Sequence, residues 1–130
     1  MGAEGRLKGW AFPIRVGPGG GILLSADERR IEESIWLVLG TARGESAMSP
    51  EFGSRLAQAR IEPGATSGLS VVEYLAREAL AECEPRVDVL SVRAAFAPED
   101  DRRVLIDVDY RHRATGAVGR TVYPHSLGRP

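Results

Sequence analysis

The chain is short of the residues from which most catalytic and metal sites are built: of 130 residues, one is cysteine and two are histidine. A lone Cys83 excludes an internal disulfide and any zinc site made from several cysteines, and its place in a helical pattern marks it as a small buried apolar residue. Neither His112 nor His125 has a second histidine or cysteine at ligand spacing, so no cofactor or metal is implied. Lysine is nearly absent as well, Lys8 standing alone among arginines. No sign of charge is in excess: 17 basic residues face 18 acidic ones, which gives no field to draw nucleic acid or an acidic membrane surface. Proteins are the expected partners. No apolar run is long enough to cross a bilayer. Met1 to Trp10 carries Glu4, Arg6 and Lys8 and lacks the apolar core of a signal peptide, so a cytoplasmic setting is expected at first.

What is present is the pattern of one globular domain, 43% hydrophobic and 27% charged. A chain of this length buries roughly two-thirds of its unfolded surface. Residues 1–24 read as an N-terminal arm with a short extended hairpin, in which Trp10, Phe12, Ile14 and Val16 precede the turn Gly17 to Gly21. That glycine run lacks the lysine and hydroxyl residue of a phosphate loop. Residues 25–130 read as a single α+β domain. Ser25 and Glu28 form a capping box, and Ile31, Ile35, Val38 and Leu39 give the helix that follows an apolar stripe. Ser49-Pro50 predicts a short helix to about Ala59, with Gly53 letting another backbone come close. Ser70 and Glu73 form a second box before a helix carrying Leu69, Val72, Ala76, Ala79, Leu80 and Cys83 on one side.

That helix must stop at Glu84-Pro85-Arg86. Proline has no N–H and drives the residue before it out of the α region, so the joint is stiff. Beyond it the apolar period changes to two. Val87 and Val89 lie on one parity and Leu90, Val92, Ala94 and Phe96 on the other, which predicts a bulge or a strand covered on both faces. A turn at Pro98 to Asp101 leads to a cleaner strand with Val104, Ile106, Val108 and Tyr110 on one face. Thr115-Gly116 turns the chain into a third strand, Gly119 to Tyr123. The predicted fold is α+β: two or three helices packed on a small antiparallel three-stranded meander.

Catalytic equipment is not visible in this pattern. Glu28, Glu32 and Glu33 read as helix-dipole partners and solvated surface, and Glu99-Asp100-Asp101 as a hairpin tip without the ligand spacing of a calcium loop. No nucleophile elbow supports a triad drawn from Ser46, Ser49, His112 and Asp107. Asp107, Asp109, Arg111 and Arg113 share one parity, giving a charged, partly self-neutralising outer sheet face.

Four stretches, taken in order, resemble a known series: Gly9-Trp10-Ala11-Phe12-Pro13, then Leu39-Gly40-Thr41, then Arg43 through Ser54, then Glu84-Pro85-Arg86-Val87. They look like the baseplate wedge and sheath-initiator family of contractile tails, long labelled lysozyme-like. Its members occur in contractile phages, type VI secretion baseplates and extracellular injection particles, among which the residues do not choose. The resemblance implies a structural part, not an enzyme. Such a part binds wedge proteins around the tube, templates the first sheath ring by strand exchange, and has inner tube or hub proteins as further candidate partners. No nucleic acid, small-molecule substrate, cofactor or direct membrane binding is implied. Assembly would take place in the cytoplasm, before incorporation into a particle. Carried onto this chain, the wedge contact falls on Glu84, Pro85, Arg86 and Glu45. The exchanged edge falls on either Val104, Ile106, Val108 and Tyr110 or Thr121, Val122 and Tyr123, since an exposed edge pairs through main-chain hydrogen bonds. The chain departs from the family at Ser46, where arginine is common. The family label also suggests a glycan hydrolase, for which Glu45 and Glu84 would be the carboxylate pair. A soluble adaptor using the same fold is a third possibility.

Overall fold

The computed structural model describes residues 25–127; the expected N-terminal arm and its hairpin lie outside them. Helix α1 (Ala26–Gly40) starts where the sequence places it. Ser25 Oγ accepts from the Glu28 N–H at 3.1 Å and a Glu28 carboxylate oxygen accepts from the Ser25 N–H at 3.0 Å. Helix α2 (Leu69–Cys83) follows a 3-10 turn at Thr66–Gly68. The second capping box does not form. The preceding turn runs straight into the helix with Gly68 at the cap, so Ser70 falls inside the first turn, and Glu73 is used elsewhere.

The expected helix from Pro50 to Ala59 is instead a closed loop ending in a 3-10 turn at Leu56–Gln58. Gly53 is the reason. It sits at φ 112°, which no right-handed helix contains, and a Cβ there would lie 2.4 Å from the Thr41 carbonyl oxygen. Around it Ser54 N–H donates to Thr41 O at 2.8 Å and Arg43 N–H to Ser54 O at 2.9 Å. Two short parallel bonds thus zip the end of α1 to residue 54. Gly53 thus keeps the close backbone approach its sequence position predicts, but within a loop in place of the expected helix.

Strands β1 (Val87–Ala97), β2 (Asp100–His112) and β3 (Val118–Ser126) form an antiparallel meander in the order β1-β2-β3. The parity change in β1 is a bulge: the register slips between Val89 and Ser91, leaving Leu90 44% exposed. Strand β3 runs three residues past its expected end, through Pro124. Leu127 N–H donates to Arg102 O and His112 N–H to Ala117 O, which fixes the odd-numbered residues of β3 as the hydrogen-bonded partners of β2. The N–H of an even residue points away from β2, so proline at 124 breaks no ladder bond.

Both helices lie on one face of the sheet. Ile31, Ile35, Val38 and Leu39 of α1 and Val72, Ala76, Ala79 and Leu80 of α2 close over Val104, Ile106, Val108 and Tyr110, all buried. At roughly 1.5–3 kcal/mol for each large apolar side chain removed from water, this one cluster supplies the main drive to fold.

Candidate partner interface

At the end of α2, the Glu84 N–H still reaches Leu80 O at 2.9 Å, but its backbone has left the helix at φ −129°, ψ 77°. The side chain folds back beneath the corner and is 2% exposed. Every approach to its carboxylate is taken. Arg86 Nε donates to Oε2 at 2.7 Å and Nη2 to Oε1 at 2.9 Å; the Arg86 backbone N–H also reaches Oε2 at 3.3 Å. The Ser34 hydroxyl of α1 donates to Oε1. Burial pushes the Glu84 pKa up, but the donors of Arg86 and Ser34 outweigh it and hold the carboxyl below its ordinary value. The same pairing raises the Arg86 guanidinium, with a further push from Asp27. Arg86 remains 49% exposed. One edge of its fork is locked onto a buried carboxylate, while the Nη1 end is not engaged by Glu84.

The loop Thr41 to Ser54 packs against the same corner. Arg43 Nη2 donates to Glu82 Oε1 at 2.8 Å, and Cys83 Sγ lies 3.9 Å from the Glu51 and Gly53 carbonyl oxygens. Inside the loop, Gly44 N–H reaches Pro50 O at 2.9 Å and the Glu45 carboxylate accepts from Ala42 N–H at 2.9 Å. Ser46, standing where the family commonly has arginine, accepts from Ser49 N–H at 3.2 Å and holds the turn. The apex carries Met48, 93% exposed. The structure therefore brings Glu84, Pro85, Arg86 and the loop of Glu45 to one corner. Two of the named side chains, Glu84 and Glu45, are occupied in bracing it. Ser34, Arg43, Glu82 and Met48 belong to this surface and were missed; Ser34 is 50 residues from Glu84 and no spacing announces the pair.

The strand candidates separate. Val104, Ile106, Val108 and Tyr110 line the inner face of β2, which is the central strand with both sides already paired, so they cannot form a free edge. Among the described residues strand β3 is an edge, but its named side chains face inward or are covered. Thr121 Oγ1 accepts from Trp36 Nε1 at 2.9 Å, Tyr123 meets the Trp36 ring edge-on at 5.2 Å, and Val122 is buried. On the outer face Asp107, 4% exposed, accepts from Arg120 Nε and Nη2 at 2.8 and 2.6 Å and from Arg93 Nη2 at 2.9 Å. This ties all three strands together, as a self-neutralising face should.

An open groove of about 850 Å³ lies between residues 56–63 and the ends of β2 and β3, with Arg60, Glu62, Arg102 and His125 on its walls. Neither Glu45 nor Glu84 lines it. Burial lowers the His125 pKa, favouring the neutral ring. Among the described residues no group of three His, Cys, Asp or Glu side chains could hold a metal ion.

Two helices on one side of a three-stranded meander, with the Glu84–Arg86 pair bracing the corner between helix and sheet, define a small α+β domain. The family model for baseplate wedge protein gp25 matches residues 25–117, and the chain belongs to that family. Among solved structures it is similar to a Geobacter sulfurreducens protein solved at 1.44 Å under the provisional name tail lysozyme. That protein is 40% identical, with a TM-score of 0.74 over 83% of this chain and 97% of the other. No curated protein matches. Membership makes the chain a structural component of a phage-tail type of baseplate, associating with other baseplate proteins.

Proposed function

We propose that the chain joins baseplate wedge proteins through the corner at Glu84-Pro85-Arg86 and the adjoining loop, and starts the sheath by pairing a strand with the first sheath ring. The observation that carries the wedge contact is the clamp on Arg86. A half-exposed guanidinium fixed by two bonds to a buried carboxylate has lost its rotamer freedom before any partner arrives, so ordering it on binding costs little. It suits a partner carboxylate or the C-terminal carbonyls of a partner helix. Met48, on a loop pinned at both ends, adds an apolar anchor to the same surface. Assembly in the cytoplasm precedes incorporation into the particle.

Arg86→Lys is the informative test, because lysine keeps a charge over Glu84 and loses the planar fork. The free variant should stay folded but lose part of the clamp, about 1–3 kcal/mol, while wedge affinity of the folded variant falls by about 2–5 kcal/mol, as for a charged hydrogen bond broken at an interface. Equal affinity for a wedge partner in both proteins would sink the assignment.

A glycan hydrolase would need a protonated general acid across a cleft from a second carboxylate. Glu84 has a lowered pKa and no unbonded oxygen, which supports the structural reading over that one. Peptidoglycan hydrolysis by the pure protein that disappears in Glu84→Gln would reverse the choice.

A further inference from the structure

Among the described residues the sheet has three strands and two edges, and such edges offer unpaired backbone groups to any passing strand. The two edges of this sheet are not alike. The hydrogen-bond alternation that sends even residues of β2 to β3 sends its odd residues to β1, as the bond from Arg113 N–H to Arg86 O at 2.9 Å shows. Beyond the bulge, the partners of Asp109, Asp107 and Leu105 are Ser91, Arg93 and Ala95. The N–H groups of Val92, Ala94 and Phe96 therefore point outward along the free edge of β1. The middle one is taken. Glu73 of α2 reaches over the edge, and its Oε2 accepts from Ala94 N–H at 2.9 Å. At the start of the same edge Val87 N–H turns back to Glu84 O at 3.5 Å, and the bulge at Leu90 breaks the repeat a further strand would need.

We propose that Glu73 is an edge guard: its carboxylate closes β1 against strand addition, including pairing with β1 of a second copy, and leaves β3 as the edge that accepts a strand, over Val118 to Val122, ahead of Pro124, which offers that edge no N–H. The geometry explains why Glu73 does not cap its own helix. A carboxylate is the fitting device because it accepts and cannot donate, so it satisfies the N–H and offers an incoming strand no N–H in exchange. The flanking carbonyls then meet a negative charge instead of a matching ladder. The guard stands on the sheet geometry alone; only the further step, that the strand accepted at β3 comes from the sheath, rests on the function proposed above.

The test uses the full chain without baseplate or sheath proteins, so its failure leaves strand exchange at β3 untouched, and failure of strand exchange leaves the guard untouched. Glu73→Ala and Glu73→Leu remove the acceptor by two routes, one small and one of similar reach. Either folded variant should show Ala94 amide exchange faster by about tenfold or more, as expected on losing a charge-assisted bond. Each should also self-associate with rising concentration in sedimentation velocity. Glu73→Gln keeps an acceptor oxygen and should return Ala94 exchange most of the way to the parent's, while its N–H donors and lost charge leave part of the self-association in place. Adding Ala94→Pro, which deletes the exposed donor without touching the ladder to β2, should abolish the new association. Unchanged exchange at Ala94 with unchanged mass would overturn the guard. So would association that survives Ala94→Pro, since it would come from another surface.

Discussion

Glu84 shows how one buried carboxylate decides the local chemistry of this chain. An isolated acid in that position would be neutralised by burial, yet three donors from Arg86 and one from Ser34 keep it ionised. The consequence is a signed pH dependence. Because the folded pKa lies below the unfolded one, the clamp's stability is fully present above the ordinary glutamate value of about 4.3 and is lost as pH falls through the folded value. Glu84→Gln should therefore cost about 1–3 kcal/mol at neutral pH, discounted from a fully buried pair because Arg86 is half in water. The gap to the parent should narrow as denaturant midpoints are followed from about pH 5 down to 3. A gap that stays constant over that range would mean the carboxylate's charge contributes nothing, and would return Glu84 to a packing role.

At the scale of elements, the loop from Thr41 to Ser54 is where prediction from pattern and the folded chain part company. Helices α1 and α2 were legible because their apolar spacing is local, and the Ser25 and Glu28 box lies within four residues. The bulge in β1 was legible as a parity change. What sequence could not show was any bond joining distant residues: Ser34 to Glu84, Glu73 to Ala94, or the zipping of Thr41 and Arg43 to Ser54. The short helix was misread for that reason, since Ser49-Pro50 is a valid start signal and only the pairing across Gly53 overrides it. Part of the site was legible likewise, as Glu84-Pro85-Arg86 is a local joint while its supports are not. Two glycines separate conformation from contact in this loop. Gly44 has φ 92° with nothing near its missing Cβ, whereas Gly53 has φ 112° with Thr41 O in the way. Gly44→Ala should cost about 1–2 kcal/mol from the left-handed backbone alone. Gly53→Ala should cost clearly more, because the zip must open as well, and urea midpoints of the two variants measure the difference. Equal costs would show that the close approach at Gly53 is not constraining the loop.

Taken whole, the molecule separates its two proposed attachments across the width of the sheet. Arg86 leads directly into β1, the guarded side, while β3 forms the far edge, two strand spacings or about 10 Å away. A part that must hold the wedge and accept a strand at once gains from this arrangement, since a partner at the corner need not cover the edge. It follows that the two functions should fail separately. Val118 is the position to use on the β3 side: it is exposed, its N–H points away from β2, and proline there removes an outward donor while leaving the chain's own ladder intact. The free Val118→Pro chain should melt within a few degrees of the parent, the change expected for a perturbation of about 1 kcal/mol in a domain of this size. In assembled particles it should still enter the baseplate, with tubes present and the sheath unattached, whereas Arg86→Lys should fail one step earlier, at entry. Electron microscopy of particles from the two variants reads both outcomes. Normally sheathed particles carrying Val118→Pro would remove strand pairing at β3 from the account and leave the wedge corner standing on its own.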